Sequence, residues 1–250
     1  FHDVSHQVLA DSVKGGNALG VAVVRLGSER LPSIFVANDQ VANLLLTSQP
    51  DPQSPLGLRF EDQALLRGLA YDIEGKAQAC MGVATGDINR DGAIDLLVTN
   101  YQDESNTFGT QCFDAQLDGH LDFVVLNGHI DDMSHMGIPF RMRPQYFSGN
   151  SAARFVEGTA EDTGPFFASM RVGRAAALID ADCDGRQDMV VGDLEQPTCL
   201  LHNESTSGNF VSIRLVGVES HRDAIGAQVT VTADGRPWTS QLVAGGGYMA

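Results

Sequence analysis

The chain has 250 residues and is strongly acidic: 32 aspartate and glutamate residues against 16 lysine and arginine residues give a formal charge of −16 at pH 7. Such an excess repels phosphate backbones and anionic headgroups, which argues against nucleic acid and anionic membrane surfaces as partners. No apolar stretch reaches the roughly 18 residues of a membrane-spanning helix. We therefore expect no membrane insertion.

The first predicted unit is a hairpin without metal ligands. Residues 20–24 and 34–38 are short runs rich in β-branched residues, which is typical of strands. The loop between them carries Arg25, Gly27, Glu29 and Ser33 where later units carry oxygen ligands. We predict no metal in this loop.

Three copies of one acidic spacing follow, at residues 87–95 (loop 1), 114–122 (loop 2) and 180–188 (loop 3). Each has oxygen side chains at positions 1, 3, 5 and 9, a glycine at position 6 and a backbone carbonyl at position 7, which are hard ligands that suit Ca²⁺. We predict up to three Ca²⁺ ions, bound most weakly in loop 2 because Gln116 is neutral. The predicted ligands are Asp87, Asn89, Asp91, Ala93 and Asp95 in loop 1, Asp114, Gln116, Asp118, His120 and Asp122 in loop 2, and Asp180, Asp182, Asp184, Arg186 and Asp188 in loop 3, with Ala93, His120 and Arg186 contributing carbonyl oxygens.

The surroundings of the three loops indicate hairpins instead of EF-hands. No glutamate stands at position 12 and no amphipathic helix flanks a loop, whereas short apolar runs typical of strands lie on both sides. The four loops begin at residues 25, 87, 114 and 180, and repeats of this length with four strands are typical of propeller blades. The step from 87 to 114 is less than half of the other two and cannot hold the outer strands. We therefore predict that about half a blade is absent between Phe108 and Gly109.

The last part of the chain predicts a separate antiparallel β module. Residues 210–216 alternate in polarity, and residues 228–232 and 239–243 flank Asp234-Gly235, a strong hairpin-turn signal. Gly245, Gly246 and Gly247 are interpreted as a strand bend, because no helical pattern follows them to form a phosphate site.

Two family resemblances appear in these residues. Residues 82–100, with Asp-x-Asn-x-Asp-Gly-x-x-Asp-Leu, resemble the FG-GAP/VCBS repeat of integrin α-type propellers. The chain also resembles the cartilage acidic protein family, which ends in an ASPIC/UnbV domain. The residues that carry this resemblance are 36–39, 127–129, 200–204, 222–231 and 244–248. The resemblance implies an all-β chain with blades of a seven-bladed or similar propeller at residues 1–208 and the start of an ASPIC/UnbV module at 209–250. Both ends of the sequence are expected to lie within a longer pattern.

Other residues offer alternative chemistry. His129, Asp131, Asp132 and His135 suit a transition metal, but their spacing matches no defined motif and favours a polar loop. The four cysteines lack zinc or CxxC spacing and are interpreted as small apolar residues of strands. Asn203 begins an N-glycosylation sequon.

The functional hypothesis is a non-enzymatic, calcium-binding propeller that serves as a protein or glycan interaction and scaffolding module. No nucleophile elbow, Walker loop or dinucleotide fingerprint is found. We expect a secreted, extracellular or periplasmic location, with calcium in a structural role. One alternative is a secreted carbohydrate-binding or carbohydrate-processing propeller, and the other is a subunit of a larger cell-surface assembly.

Overall fold

The computed structural model describes residues 1–13, 15–27, 29, 31–102, 105–206, 208–220 and 222–243. Strands hold 40% of the residues and helices 6%, which confirms the all-β prediction. The strands are β1 (Ala18–Val24), β2 (Ser33–Asn38), β3 (Leu44–Pro50), β4 (Leu58–Asp62), β5 (Cys80–Gly86), β6 (Asp95–Gln102), β7 (Ser105–Phe113), β8 (Asp122–Asn127), β9 (Gln145–Gly149), β10 (Phe155–Glu157), β11 (Gly173–Ile179), β12 (Asp188–Asp193), β13 (Cys199–Leu201), β14 (Gln228–Ala233) and β15 (Arg236–Gln241).

Helical structure is confined to short segments. The α-helices are α1 (Ser5–Val8), α2 (Ala160–Thr163) and α3 (Pro165–Ala168), and a single 3₁₀ turn covers Ser134–Met136. None of the helices within the described residues has the length and apolar character that crossing a membrane requires.

The strands form four antiparallel sheets: β1-β2-β3-β4, the six-stranded sheet β10-β9-β8-β7-β6-β5, β11-β12-β13 and the hairpin β14-β15. Following the repeats of the sequence, we call β1–β4 the first unit, β5-β6 the second, β7–β10 the third and β11–β13 the fourth, so that the second and third units share one sheet. The four predicted hairpins are confirmed, since β1 pairs with β2, β5 with β6, β7 with β8 and β11 with β12.

Successive units approach one another through glycines of their first strands. A Cβ atom added to Gly20 would lie 2.5 Å from the Met81 carbonyl oxygen, one added to Gly82 would lie 2.4 Å from that of Phe108, and one added to Gly109 would lie 2.5 Å from that of Arg174. Each of these glycines therefore lets two backbones meet where a side chain would separate them.

The second unit is short. No described strand other than β5 pairs with β6 before Tyr101, where β6 begins to pair with β7. Phe108 and Gly109 are consecutive residues of β7 and correspond in the repeat to Met81 and Gly82. Absence of a segment between Phe108 and Gly109 stays a prediction.

The core runs between the units. One buried cluster includes Val24, Phe35, Leu45 and Val83 and joins the first two units. A second cluster joins the last two units through strands β7, β8, β11 and β12. The inward residues alternate along their strands, as in β2, where Phe35 and Ala37 are buried while Ile34 and Val36 are half-buried.

The C-terminal hairpin is only partly as predicted. Strands β14 and β15 meet at Asp234 and Gly235, both with positive φ (50° and 75°), as a type I′ turn requires. The strand expected at residues 210–216 is wrong, because this segment has no strand pairing and Phe210, Val211, Ile213 and Val216 are exposed. The alternation of polar and apolar residues in this segment therefore does not correspond to a strand of any described sheet. Gly245–247 lie outside the described residues.

Candidate metal centres

All three acidic loops have one backbone conformation. Position 4 is left-handed in each loop, with φ of 61° at Arg90, 54° at Leu117 and 62° at Cys183. The glycine at position 6 is left-handed as well, with φ between 83° and 88°. Two left-handed residues within three positions turn the chain sharply enough to direct neighbouring side-chain oxygens inward.

The carboxylates also make the same hydrogen bonds in each loop. The carboxylate at position 1 accepts a hydrogen bond from the backbone amide of the glycine at position 6, at 3.1, 2.7 and 3.1 Å in loops 1 to 3. The carboxylate at position 5 accepts one from the amide of position 7, at 2.8, 2.8 and 2.9 Å. The carboxylate at position 9 accepts one from the amide of position 2, at 3.0, 2.8 and 3.1 Å. These bonds hold the carboxylates in place and leave other oxygen lone pairs for a ligand.

Loop 1 contains a buried carboxylate oxygen with no partner. Asp87 is 5% exposed, and within the described part of the chain its Oδ1 atom has no hydrogen bond. Burial raises the pKa of Asp87, with repulsion from Asp91 and Asp95 acting in the same direction. A cation bound to Oδ1 would give this buried oxygen a partner and would offset the repulsion between the carboxylates.

Loop 2 departs from the pattern at position 3. Gln116 Nε2 donates to the Tyr146 hydroxyl at 2.6 Å, and Asp118 N donates to Asp114 instead. Asp122 at position 9 is fully buried, and burial raises its pKa to about 6. Burial also raises the pKa of Asp114. The hydrogen bond to Tyr146 uses the amide nitrogen of Gln116 and not the oxygen that would bind an ion. Weak binding in loop 2 stays a prediction that rests on the neutral charge of Gln116.

Loop 3 brings three carboxylates together at the surface. Oxygen atoms of Asp180, Asp182 and Asp184 lie within 4.8 Å of one another, the span of two opposite ligands at Ca–O distances of about 2.4 Å. Arg186 forms an ion pair with Asp184. Burial opposes ionisation of Asp188, but hydrogen bonds from the Asn203 and Ala181 amides and from His202 outweigh it and lower the pKa of Asp188.

These residues fit Ca²⁺. Within each loop the available side-chain donors are carboxylate or amide oxygens, the unpartnered Asp87 oxygen is buried, and position 7 can add a carbonyl oxygen. In the first unit Ser33 instead donates to Glu29 at 2.8 Å, and Arg25 donates to Gln228 at 2.9 Å, so the equivalent loop is occupied by its own side chains.

The hairpin β14-β15 lies on these loops, which sequence reasoning missed. Gln228 Nε2 donates to the Gly92 carbonyl of loop 1 at 3.0 Å, and Trp238 Nε1 donates to the Gly119 carbonyl of loop 2 at 3.2 Å. The guanidinium of Arg90 lies 5.9 Å from the centre of the Trp238 ring. More than a hundred residues separate these partners in the chain, so no local pattern indicates the contact.

The remaining candidates are brought together only in part. His129 contacts the Tyr101 hydroxyl at 2.7 Å and the Asp131 backbone, and among the described residues it forms no converging group with Asp132 and His135. The Asn203 amide nitrogen, which glycosylation would modify, donates to the Ala115 carbonyl at 2.9 Å. All four cysteines are free thiols.

A groove of about 600 Å³ opens beside loop 2. Its walls include the half-buried rings of Tyr146, Phe166 and Phe167, and its rim carries Glu161 and Glu204. Apolar rings next to acidic groups form a surface suited to binding a ligand.

Residues 217–250 match the family model described as ASPIC and UnbV. The match covers the hairpin β14-β15 and not the four units that carry the loops. No curated protein matches the chain. The ASPIC/UnbV part of the resemblance is therefore supported, and its β-rich hairpin is the element that contacts loops 1 and 2.

Proposed function

We propose that this protein is a calcium-binding, propeller-type module that acts without catalysis as an interaction and scaffolding unit outside the cytosol. One observation carries the calcium assignment: three loops share one backbone conformation and one hydrogen-bond pattern, and in loop 3 three carboxylates converge. Calcium in such a hairpin loop ties two strands together, because the unfolded chain has no preformed site. Its role is therefore structural.

The propeller assignment is supported by the order of the units. Four hairpins follow one another in the sequence, and the first strands of neighbouring hairpins meet at Gly20, Gly82 and Gly109. The same contact recurs between successive units, as the radial repetition of propeller blades would require. The FG-GAP/VCBS resemblance belongs to this proposal.

The proposed calcium chemistry also supports an extracellular or periplasmic location. Extracellular calcium modules bind with dissociation constants of about 10⁻⁴ to 10⁻³ M and stay filled where calcium is abundant. An acidic surface with a charge of −16 favours a protein or glycan partner over nucleic acid.

Calcium content and unfolding test the proposal. Protein equilibrated with calcium should carry about three ions by mass spectrometry and should lose stability when the ions are removed. Asp91→Asn in loop 1 should lower the stoichiometry by one. Glu29→Gln, which removes an acid from position 5 of the first-unit loop, is the matched control and should leave it unchanged. Absence of bound calcium in the wild-type protein refutes the proposal.

Carbohydrate binding is the second candidate, and the groove favours it. The rings of Tyr146, Phe166 and Phe167 offer apolar surface for sugar C–H groups, while Glu161 and Glu204 can accept hydroxyl hydrogens. A glycan panel should give binding that Phe167→Ala weakens and that calcium-loop variants preserve. Turnover of any glycan would overturn the non-enzymatic proposal.

A further inference from the structure

The hairpin β14-β15 holds one particular peptide group in each of loops 1 and 2. In loop 1, the Gly92–Ala93 peptide donates its N–H to Asp91 at 2.8 Å and accepts Gln228 Nε2 on its carbonyl at 3.0 Å. In loop 2, the Gly119–His120 peptide donates to Asp118 at 2.8 Å and accepts Trp238 Nε1 at 3.2 Å. Each peptide is therefore fixed at both ends, by a loop carboxylate and by the hairpin.

That peptide connects the hairpin to the metal ligands. The carboxylate on its N–H is the position 5 ligand, and the residue that follows its carbonyl supplies the position 7 ligand. Movement of either ligand on calcium binding must turn the peptide plane and move the carbonyl to which the hairpin donates.

Close packing makes the contact sensitive to such movement. An added Cβ atom at Gly119 would lie 2.4 Å from Trp238 Nε1, whereas one at Gly92 would meet nothing nearer than Thr239 at 4.0 Å. Arg25 adds a third attachment, since its backbone amide donates to Gln241 at 3.1 Å and its guanidinium to Gln228. Within the described residues, no hairpin side chain donates to the Gly185 carbonyl of loop 3.

We infer that Gln228 and Trp238 are positioning residues for calcium in loops 1 and 2, so that docking of the hairpin and calcium binding strengthen each other. The inference rests on the proposed function, because it requires calcium in these loops. Coupling between two binding events is reciprocal. A neutral hydrogen bond contributes a net factor of roughly threefold to tenfold, so loss of one bond should weaken calcium binding in its loop by about that factor.

Trp238 is the only tryptophan of the chain, which makes its fluorescence a direct readout of the contact. We expect a calcium titration of the full chain to change its emission. Asp118→Asn in loop 2 should abolish most of that change, while Asp184→Asn in loop 3, the matched variant, should preserve it. An equal loss in both variants, or a response that depends only on loop 3, overturns the inference.

Calorimetric calcium titration supplies a readout that does not use the indole. Trp238→Phe keeps an aromatic ring but removes the N–H donor, and it should weaken one site about threefold to tenfold without changing the stoichiometry. Phe210→Leu, on the segment that packs against Gly185 of loop 3, is the control for a general effect of the C-terminal segment. Unchanged affinities in Trp238→Phe refute the inference.

Bound calcium separates the two proposals. About three ions with a constant Trp238 emission and unaltered variant affinities would refute the positioning role and leave the proposed function standing. No bound calcium would refute both proposals, and the failure would lie in the proposed function.

Discussion

The buried carboxylate of Asp122 should make the calcium-free protein more stable at about pH 5 than at about pH 7. Asp122 is 0% exposed, and burial raises its pKa from 3.8 to about 6 despite hydrogen bonds from the Ala115 and Gly149 amides. Between these two pKa values the folded chain binds more protons than the unfolded chain. The free energy of unfolding therefore rises as the pH falls through the folded pKa.

The size of the effect follows from the two pKa values. A folded pKa of about 6 and an unfolded pKa of 3.8 give a gain of about 1.3 kcal/mol on going from about pH 7 to about pH 5. In a chain of this length that corresponds to a rise of about 3–5 °C in Tm. Asp87 and Asp114, whose pKa values burial also raises, act in the same direction.

Bound calcium should reverse the direction in which the free energy of unfolding changes with pH. A bound ion favours the ionised carboxylates, so protonation competes with calcium and stability falls as the pH falls. The unfolding free energies with and without calcium should therefore converge on acidification. Calcium-free protein is best prepared before the titration, because chelators weaken at low pH.

Urea unfolding at several pH values measures both curves. Asp122→Asn is the control variant, because it cannot ionise and should lose about 1.3 kcal/mol of the pH dependence of the calcium-free protein. Acidification also reduces the repulsion among the other acidic side chains, and this effect is present in both proteins. The difference between wild type and variant therefore isolates the contribution of Asp122. Equal pH dependence in the two proteins, or a calcium-free protein that loses stability towards about pH 5, would show that Asp122 is not held in this environment.

Three further predictions follow from single positions. Gln116→Asp should strengthen calcium binding in loop 2 by about tenfold in calorimetry, since it adds a charged oxygen at position 3, and an unchanged affinity would contradict the proposed geometry. Gly82→Ala should cost about 1–3 kcal/mol in urea unfolding, because its Cβ would lie 2.4 Å from a backbone oxygen of the neighbouring unit, whereas Gly15→Ala meets nothing within 4 Å and should not. The exposed Cys183 should react with a thiol reagent in the native protein while Cys112, whose pKa burial raises to about 12, should not, as peptide mapping would show.

The sequence predicted what local patterns determine. Strand pairs such as β5-β6 follow from apolar runs on both sides of a turn, and the left-handed conformation at Gly92 follows from the glycine at position 6. The Asp234-Gly235 turn is equally local. These features depend on residues within a few positions of one another, so their pattern is visible in the chain.

Long-range contacts were not predictable from those patterns. The contact of Trp238 with Gly119 depends on the positions of whole units, and the contact of Gln116 with Tyr146 joins residues 30 positions apart in the chain. Residues 210–216 show the opposite failure. Their alternation is typical of a strand, but a strand also needs a neighbour to pair with, and the described structure provides none for them.

If calcium binds as proposed, the short second unit predicts that an ion in loop 1 contributes more to stability than an ion in loop 3. Strand β6 pairs with β5 along most of its length and meets β7 only at its end, whereas β2, β8 and β12 each lie between two strands. When one contact opens, a central strand keeps the backbone hydrogen bonds on its other side, whereas a strand paired on a single side keeps none. The β5-β6 pair therefore depends on the glycine contacts with its neighbours and on the hairpin that contacts Gly92. If loop 1 binds calcium as proposed, removal of the ion should act on this sparsely paired strand pair and on the contact of the hairpin at the same time.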